Sequence, residues 1–487
     1  MSERFDVVIV GAGLSGVGAA CHLRRSCPGK SFVLLEGREA IGGTWDQFRY
    51  PGIRSDSDMY TFGYAFEPWK GDKALADGPA IRAYVQDTAR KYDVDTQVRF
   101  GHRVTRLSWS SAAAEWTIEV TRSDGSSARF TAGFVWMCTG YYRYDAGHTP
   151  EFAGRERFRG RIVHPQHWPE DLDYSGQRVV VIGSGATAVT LVPAMAGRAA
   201  HVTMLQRSPS YVLSRPAIDA VARGLRRVLP ERVAYALSRW KNVALATLLY
   251  QLSRRRPAGM KRFLIDQVQR ALGPDHPVDP DFTPRYDPWD QRLCLVPEND
   301  LFVAIREGKA DVVTDTVECF TETGIRLGSG AELPADLVVT ATGLELLFLG
   351  GSEVVVDGRA IEVAAEMSFK GMMLSGVPNL AFTVGYTNAS WTLRADLVAE
   401  HVCRLLQHMD RVGARKVVPR RGADPVLTPL MDLSSGYVQR ALDRFPKQGA
   451  KNPWRVRQNY FADYLLLRLA RVDDPALEFS STSTPGL

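Results

Sequence analysis

Apolar residues run almost unbroken from position 5 to 10, stop at a cluster of glycines, and give way to small residues over 17–23. That order predicts a strand apolar on both faces, a tight loop, and a helix kept small where it lies against the sheet. A second apolar run at 31–36 follows. The arrangement returns further along, with a run at 178–182, another glycine cluster, and a run at 201–205. Strand and helix signals alternating in this way predict an α/β fold with parallel sheets and helices on their faces. From about 215 to 280 the pattern changes to helical stretches, and a helical insertion is expected there.

The first loop reads Gly11-Ala-Gly13-Leu-Ser15-Gly16, a GxGxxG between a strand and a helix. The first glycine allows the tight turn, the second lets backbone approach a pyrophosphate, and the third lets helix and strand pack closely. N–H groups at the helix N-terminus then face the phosphates, and Ser15 is placed to join them. The run at 31–36 ends in Glu36, 20 residues beyond Gly16, positioned to accept hydrogen bonds from a ribose diol. Strand, loop, helix and terminal acid together predict a dinucleotide without a 2′-phosphate. The sequence continues Gly42-Gly-Thr44-Trp45-Asp46-Gln47, and a Gly-Gly step before an aromatic residue suits a loop lying against a flat ring system. FAD is therefore expected here rather than NAD.

The second loop reads Gly183-Ser184-Gly185-Ala186-Thr187-Ala188 and leads into Val189, with alanine as an accepted variant at the third position. Its following strand ends not in an acid but in Gln206-Arg207-Ser208. A carboxylate repels a 2′-phosphate, whereas a guanidinium clamps it with charge-assisted hydrogen bonds. The second nucleotide is thus expected to be NADP, as NADPH. The fold predicted from both loops is two Rossmann-like dinucleotide-binding domains with a helical insertion.

At 487 residues the chain is long enough for two or three domains, and 45% hydrophobic with 23% charged residues is ordinary globular composition. The cysteines (Cys21, Cys27, Cys138, Cys294, Cys319, Cys403) form no CxxC pair and lie at no metal-ligand spacing. This argues against the redox-active cysteine pair of disulfide reductases, leads to no metal being expected, and fits a reducing, cytoplasmic compartment. No targeting peptide is expected before the first strand, and no apolar run approaches the roughly 18 residues of a membrane span. The net charge of +6 is uneven, because 215–270 carries 13 Lys and Arg against 3 Asp and Glu. Within it, 243–250 is apolar and flanked by Arg239, Lys241 and Arg254 to Arg256. Two readings stand: peripheral contact of 215–280 with an anionic membrane surface, or a helical insertion with a solvated basic face, which is preferred. Nucleic-acid binding is not expected, since no recognised motif accompanies the charge.

Between the two loops lies Phe158-Arg-Gly160-Arg-Ile-Val-His164-Pro-Gln-His-Trp168-Pro169, which fits FxGxxxHxxxWP. It resembles the fingerprint of type I Baeyer–Villiger (class B flavoprotein) monooxygenases; flavin monooxygenases that oxidise amines and sulfides usually carry Tyr or Phe in place of the Trp. The runs Gly42 to Asp46, Tyr50-Pro-Gly-Ile-Arg54-Ser55-Asp56-Ser-Asp-Met-Tyr60, Asp287-Pro-Trp-Asp-Gln-Arg292-Leu-Cys294 and Gly385-Tyr-Thr-Asn-Ala-Ser-Trp-Thr392 resemble the actinobacterial ethionamide-activating branch. Some family members have Lys where this chain has Gln291. The resemblance implies that NADPH reduces FAD and O2 adds at flavin C4a. The resulting peroxyflavin then converts a ketone to an ester or lactone, with sulfides or thioamides as further substrates. The alternative is an S- or N-oxygenating flavin monooxygenase with little ketone activity.

Such chemistry needs a preorganised cation in a dry pocket. By motif position Arg292 is that candidate, with Asp56 as the acid that positions it or tunes flavin reduction; a structural ion pair between loops is the plainer reading. The resemblance further implies FAD contacts at Ser15, Glu36, Thr44, Trp45, Asp46, Gln47, Asp56 and the backbone of Val104, beside the loop glycines Gly11, Gly13 and Gly16. For NADP it implies Arg54, Ser55, Gly183 through Val189, Arg207 and Ser208. His164 is expected in a hinge rather than as a base, and Trp168 as a packing anchor. Phe62, Tyr64 and Phe66 are assigned to the core in preference to the pocket. The steps Cys138-Thr-Gly140 and Ala341-Thr-Gly343 are expected where the chain leaves and re-enters the FAD domain. The expected organisation is FAD domain 1–145, linker and NADP domain 146–214, basic helical insertion 215–280, NADP domain again 281–335, then FAD domain and C-terminal region 336–487.

Overall fold

The protein, seen in a computed structural model that describes residues 3–422 and 426–481, is organised around two sheets. The first apolar run forms β1 (Glu3–Val10), which turns at Gly11 into α1 (Leu14–Ser26). Val17, Ala19, Ala20 and Leu23 are buried on that helix, small enough for it to lie close to the sheet. β2 (Phe32–Leu35) lies parallel to β1, and Glu36 stands just beyond its end. Helices α2 (Thr44–Gln47), α3 (Met59–Phe62) and α4 (Gly78–Lys91) precede β3 (Val98–Arg99), which pairs with β2. On the other side β4 (His102–Ser110), β5 (Glu115–Arg122) and β6 (Ser127–Met137) run antiparallel to one another, and β6 pairs in parallel with β1.

The second sheet is parallel throughout. It contains β7 (Arg161–Val163), β8 (Arg178–Ile182) and β9 (His201–Gln206), with α5 (Ala186–Ala196) connecting the last two. Before the chain completes it, β10 (Val212–Arg215) leads into α6 (Ala220–Val228), α7 (Glu231–Arg255) and α8 (Pro257–Leu272). β11 (Cys294–Pro297) then pairs with β10 and closes the base of this excursion. After α9 (Asp300–Arg306) come β12 (Ala310–Thr314), the small antiparallel group β13 (Val317–Phe320), β14 (Gly324–Leu327) and β15 (Glu332–Pro334), and finally β16 (Leu337–Thr340). The order is β12-β9-β8-β16-β7. Val179 to Ile182, Val202, Met204, Leu205 and Leu337 to Val339 are all buried, the continuous apolar pattern of strands covered on both faces.

Beyond β16 the chain rejoins the first sheet as β17 (Glu353–Val356), parallel to β4, and strand Leu380–Phe382 lies parallel to β6. Helix α10 (Trp391–Val412) then packs against α1. The three insertion helices do not stand away from the body. Arg239 of α7 is buried, donates to the carbonyls of Tyr60, Thr61 and Gly63, and pairs with Asp396 of α10 at 3.3 Å. The Tyr235 hydroxyl donates to the Tyr64 carbonyl. Part of the basic character of this segment is therefore turned inward, where it satisfies carbonyls of the first nucleotide fold.

Candidate active site

A cavity of about 450 Å³ runs between the two sheets, from the first glycine loop to Arg292. Gly11, Gly13, Ser15 and Glu36 line one end; Thr44, Trp45 and Val104 line its length; Arg54, Ser55, Asp56 and Arg292 close the other end, joined by Ala186 and Thr187 from α5. Residues of the first glycine loop, the 50–60 run, α5 and the 287–294 run, up to hundreds of residues apart, thus share one wall.

The glycines explain the shape of the first end. Gly11 has φ +104° and a Cβ there would sit 2.7 Å from the Cys138 carbonyl oxygen; a Cβ on Gly16 would lie 1.8 Å from the Gly11 oxygen. Gly43, at φ +56°, would bring a Cβ within 2.9 Å of Gly13 Cα, so the two loops touch backbone to backbone. Glu36 is buried, accepting from the Ala12 N–H at 2.6 Å and the Arg38 N–H at 2.9 Å. Burial pushes its carboxyl above the usual carboxylate range, against the pull of those two donors. The Ser15 hydroxyl accepts a 2.7 Å hydrogen bond from Trp391 Nε1, which fixes the start of α1 against the start of α10. A groove with bare backbone at a helix N-terminus, an acid beyond the second strand and an indole over the loop fits a dinucleotide such as FAD.

At the far end Arg292 Nη2 donates to both carboxylate oxygens of Asp56, at 2.8 and 2.9 Å. The neighbouring Asp56 charge raises the Arg292 pKa well above its ordinary value, so the guanidinium remains cationic at any working pH. Tyr141 and Tyr142 line the same cavity, and burial raises the Tyr142 hydroxyl to about 12. Neither is a proton donor of neutral-pH strength. Arg292 also lines a second cavity, of about 130 Å³, walled by Val243, Leu249, Tyr250, Leu264, Leu295 and Leu393. Asp56 and Arg292 therefore stand where a dinucleotide-sized groove meets an apolar chamber. Trp289, three residues before Arg292, holds φ +71°, stacks edge-on against Tyr250 and lines that chamber.

The second glycine loop has a more open setting. Gly183 is tight, a Cβ there lying 2.3 Å from the Ala341 oxygen, but Gly185 has no neighbour within 4 Å. The Ser184 hydroxyl donates to the Ser208 carbonyl at 2.9 Å. Arg207 is exposed at the end of β9, while Gln206 beside it is buried and bonded to the Asp281 carbonyl and Thr314. Arg54, which faces the cavity, pairs with Asp300 at 2.6 Å and so ties the first fold to α9.

Not every candidate reaches the wall. Asp46 is buried beneath it among Arg38 at 2.6 Å, Arg49 at 3.1 Å and Arg82 at 3.4 Å. Gln47 donates to the Gln166 carbonyl. Ala188 and Val189 point into the core beneath α5. His164 lies between domains: it accepts from the Gln166 N–H on Nδ1 and its Nε2 is 3.3 Å from the Gly343 carbonyl. Burial lowers its pKa. Trp168 packs edge-on to Tyr174 and Tyr64 is fully buried, whereas Phe62 reaches the cavity wall. Sequence reasoning did not single out Tyr141, Tyr142 or Trp391 as site residues. Their signal was available in the Cys138-Thr-Gly140 and Gly385 to Thr392 runs, where a turn after a buried strand delivers the next residues to the strand ends.

Comparison with known proteins places these features in context. Residues 75–258 match the flavin-binding monooxygenase-like family and 9–71 the NAD(P)-binding Rossmann-like domain. The FAD-containing monooxygenase EthA of Mycobacterium tuberculosis is 55% identical over 487 residues, covering 100% of this chain and 99% of that one. The putative FAD-containing monooxygenase MymA of the same species is 51% identical over 490 residues, with 99% of each covered. Among solved structures, an oxidised steroid monooxygenase bound to NADP superposes with a TM-score of 0.78 at 22% identity, over 98% of this chain and 100% of that one.

Proposed function

This chain belongs to the FAD-containing monooxygenases, and from that membership we propose that it is an NADPH- and O2-dependent enzyme that inserts oxygen beside a ketone carbonyl, giving an ester or lactone. The feature that carries the proposal is the Arg292–Asp56 pair at the junction of the long groove and the apolar chamber. FAD in the groove, reduced by NADPH, supplies the activation of O2. Arg292 contributes a fixed positive charge where negative charge develops, and a guanidinium does so without giving up its proton. Asp56 orients it. Tyr141 and Tyr142 line the groove beside the pair. The chamber beyond, lined by Val243, Leu249, Tyr250, Leu264, Leu295 and Leu393, takes an apolar organic substrate and leaves its reacting group at Arg292. Arg207, exposed and free of ion pairs among the described residues, is assigned to the NADPH 2′-phosphate, and Arg54 and Ser55 to its other end.

The test is NADPH oxidation by the flavin-loaded protein with a panel of ketones, thioethers and thioamides, with products identified by mass spectrometry. Ketone-dependent oxidation giving products one oxygen heavier is the expected result. Oxygenated thioethers or thioamides with ketones untouched would move the enzyme to the S- or N-oxygenating class. Hydrogen peroxide as the only product with every compound would reject oxygenation.

A further inference from the structure

The outer face of the α6–α8 insertion is the reverse of an ordinary helix surface. On α7, Val233, Leu237, Trp240, Leu245, Leu248 and Leu252 are 38–55% exposed. At 3.6 residues per turn they fall on one broad stripe, opposite the buried Tyr235, Arg239 and Val243. A surface helix normally turns polar residues outward; this one has apolar residues on both sides. The stripe continues on neighbouring elements. Trp240 packs on Phe461 and Tyr464; Phe461, Leu465 and Leu469 of that segment are exposed, and so is Phe263 of α8.

Cations stand on the same three helices. Arg223, Arg227, Arg232, Arg255, Arg256 and Arg262 are exposed and enter no ion pair among the described residues. At one edge a cavity of about 460 Å³ is lined by Arg25, Arg232 and Arg468, the last paired with Glu400, together with Trp240 and Tyr460; Arg239 in its wall is already spent on carbonyls and Asp396. Arginines on the same helices as an exposed apolar and aromatic stripe complement an anionic headgroup layer over hydrocarbon. They do not complement a second copy of the same cationic face.

We propose that this face docks the protein on an anionic lipid bilayer, with the α7 stripe at the level of the acyl chains and the arginine-lined cavity at the headgroups. The inner sides of the same helices form the apolar chamber: Val243, Leu249 and Tyr250 of α7 and Met260 and Leu264 of α8 line it. Phe263 belongs to both, being 45% exposed and a lining residue. The chamber and the docking face therefore share a wall at Phe263, on the side from which a substrate dissolved in the bilayer would approach Arg292. Docking does not depend on which substrate is oxidised, so it stands apart from the ketone assignment.

The test uses the flavin-loaded full chain with vesicles of phosphatidylcholine alone or mixed with phosphatidylglycerol, at physiological salt. Co-sedimentation is expected to be roughly tenfold or more stronger on the anionic vesicles. Two variants, Leu245→Ser with Leu248→Ser and Arg255→Glu with Arg256→Glu, lie outside both cavities that meet at Arg292. Each should keep flavin content and activity on a soluble ketone or thioether while losing vesicle binding. Absence of binding to anionic vesicles overturns the proposal, and so does binding that both variants retain. A concentration-dependent dimer in lipid-free light scattering, lost in Leu245→Ser with Leu248→Ser, would also overturn it and make this face a contact between copies.

Discussion

The two glycine loops carry nearly the same sequence signature, and in both the first glycine is pressed on backbone, Gly11 on Cys138 and Gly183 on Ala341; beyond that position their surroundings differ. Around the first, each defining glycine is pressed against backbone: Gly11 on Cys138, Gly16 on Gly11, Gly43 on Gly13. Its acid is buried, and an indole from a distant helix is hydrogen-bonded to its serine. Around the second, Gly185 faces open space and Arg207 stands in solvent. On the proposed assignment the first loop encloses FAD, a group that stays. On the same assignment the second is a ledge for the NADPH co-substrate, and exchange of that kind requires an open approach.

The sharpest way to break this comparison is to place one methyl group in each loop. Gly16→Ala puts a Cβ where the Gly11 oxygen already is, 1.8 Å away, so the loop must move. The expected protein has almost no visible flavin absorbance and a lowered melting temperature. Gly185→Ala meets no protein atom within 4 Å; it should keep its flavin and its stability and raise KM for NADPH, because the added carbon fills space where phosphate approaches the backbone. Equal loss of flavin in both variants would show that the loops are not differently built.

Next in size is Arg292→Ala, which removes the cation while leaving the glycine end of the groove intact. Flavin content should be unchanged and formation of oxygenated product should fall by about 100- to 1000-fold, the loss typical of deleting one preorganised charge-stabilising donor. A variant that loses its flavin as well would mark the pair with Asp56 as structural. Arg207→Ala tests the ledge alone. A charge-assisted contact of about 1.5–3 kcal/mol corresponds to a rise of roughly 10- to 100-fold in KM for NADPH. With NADH the value should hardly move, and equal effects on both cofactors would reject the 2′-phosphate assignment.

The legible part of this molecule was the part written in local pattern. Strand, loop, helix and terminal residue are consecutive in sequence, so Gly11 to Glu36 and Gly183 to Arg207 announce both strand–loop–helix folds before any contact is known. Helices at 220–272 were equally visible. What the sequence could not display was how separated segments meet. Arg239 reads as one more cation in a basic run, yet it is buried under three carbonyls at the end of α3, almost 180 residues earlier. Asp46 stands next to Trp45 of the cavity wall, but it turns away from the groove toward three guanidinium groups. Trp391 lies at the start of a helix whose position over Ser15 depends on how α1 and α10 pack. In each case the deciding partner is far away in sequence, and periodicity carries no information about it.

The smallest expected effect concerns the linker that joins the two regions compared above. His164 touches the Gly343 carbonyl through Nε2 and the Gln166 N–H through Nδ1, and burial is the main cause that lowers its pKa from 6.5. Its side chain is neutral in the folded protein at neutral pH, with both ring nitrogens spent on backbone. Unfolding frees the imidazole to take a proton as pH drops through its ordinary range, so the contribution of His164 to stability is intact above about pH 6.5 and erodes below it. His164→Gln keeps groups able to donate and accept hydrogen bonds but cannot titrate. Its melting temperature should therefore fall less than that of the parent between pH 7 and pH 5, while the pH profile of kcat/KM keeps its shape. Were His164 a general base, the substitution would instead remove the acid limb of the activity profile, and the linker would have to be counted as part of the chemistry rather than of the joint between an enclosed cofactor and an open one.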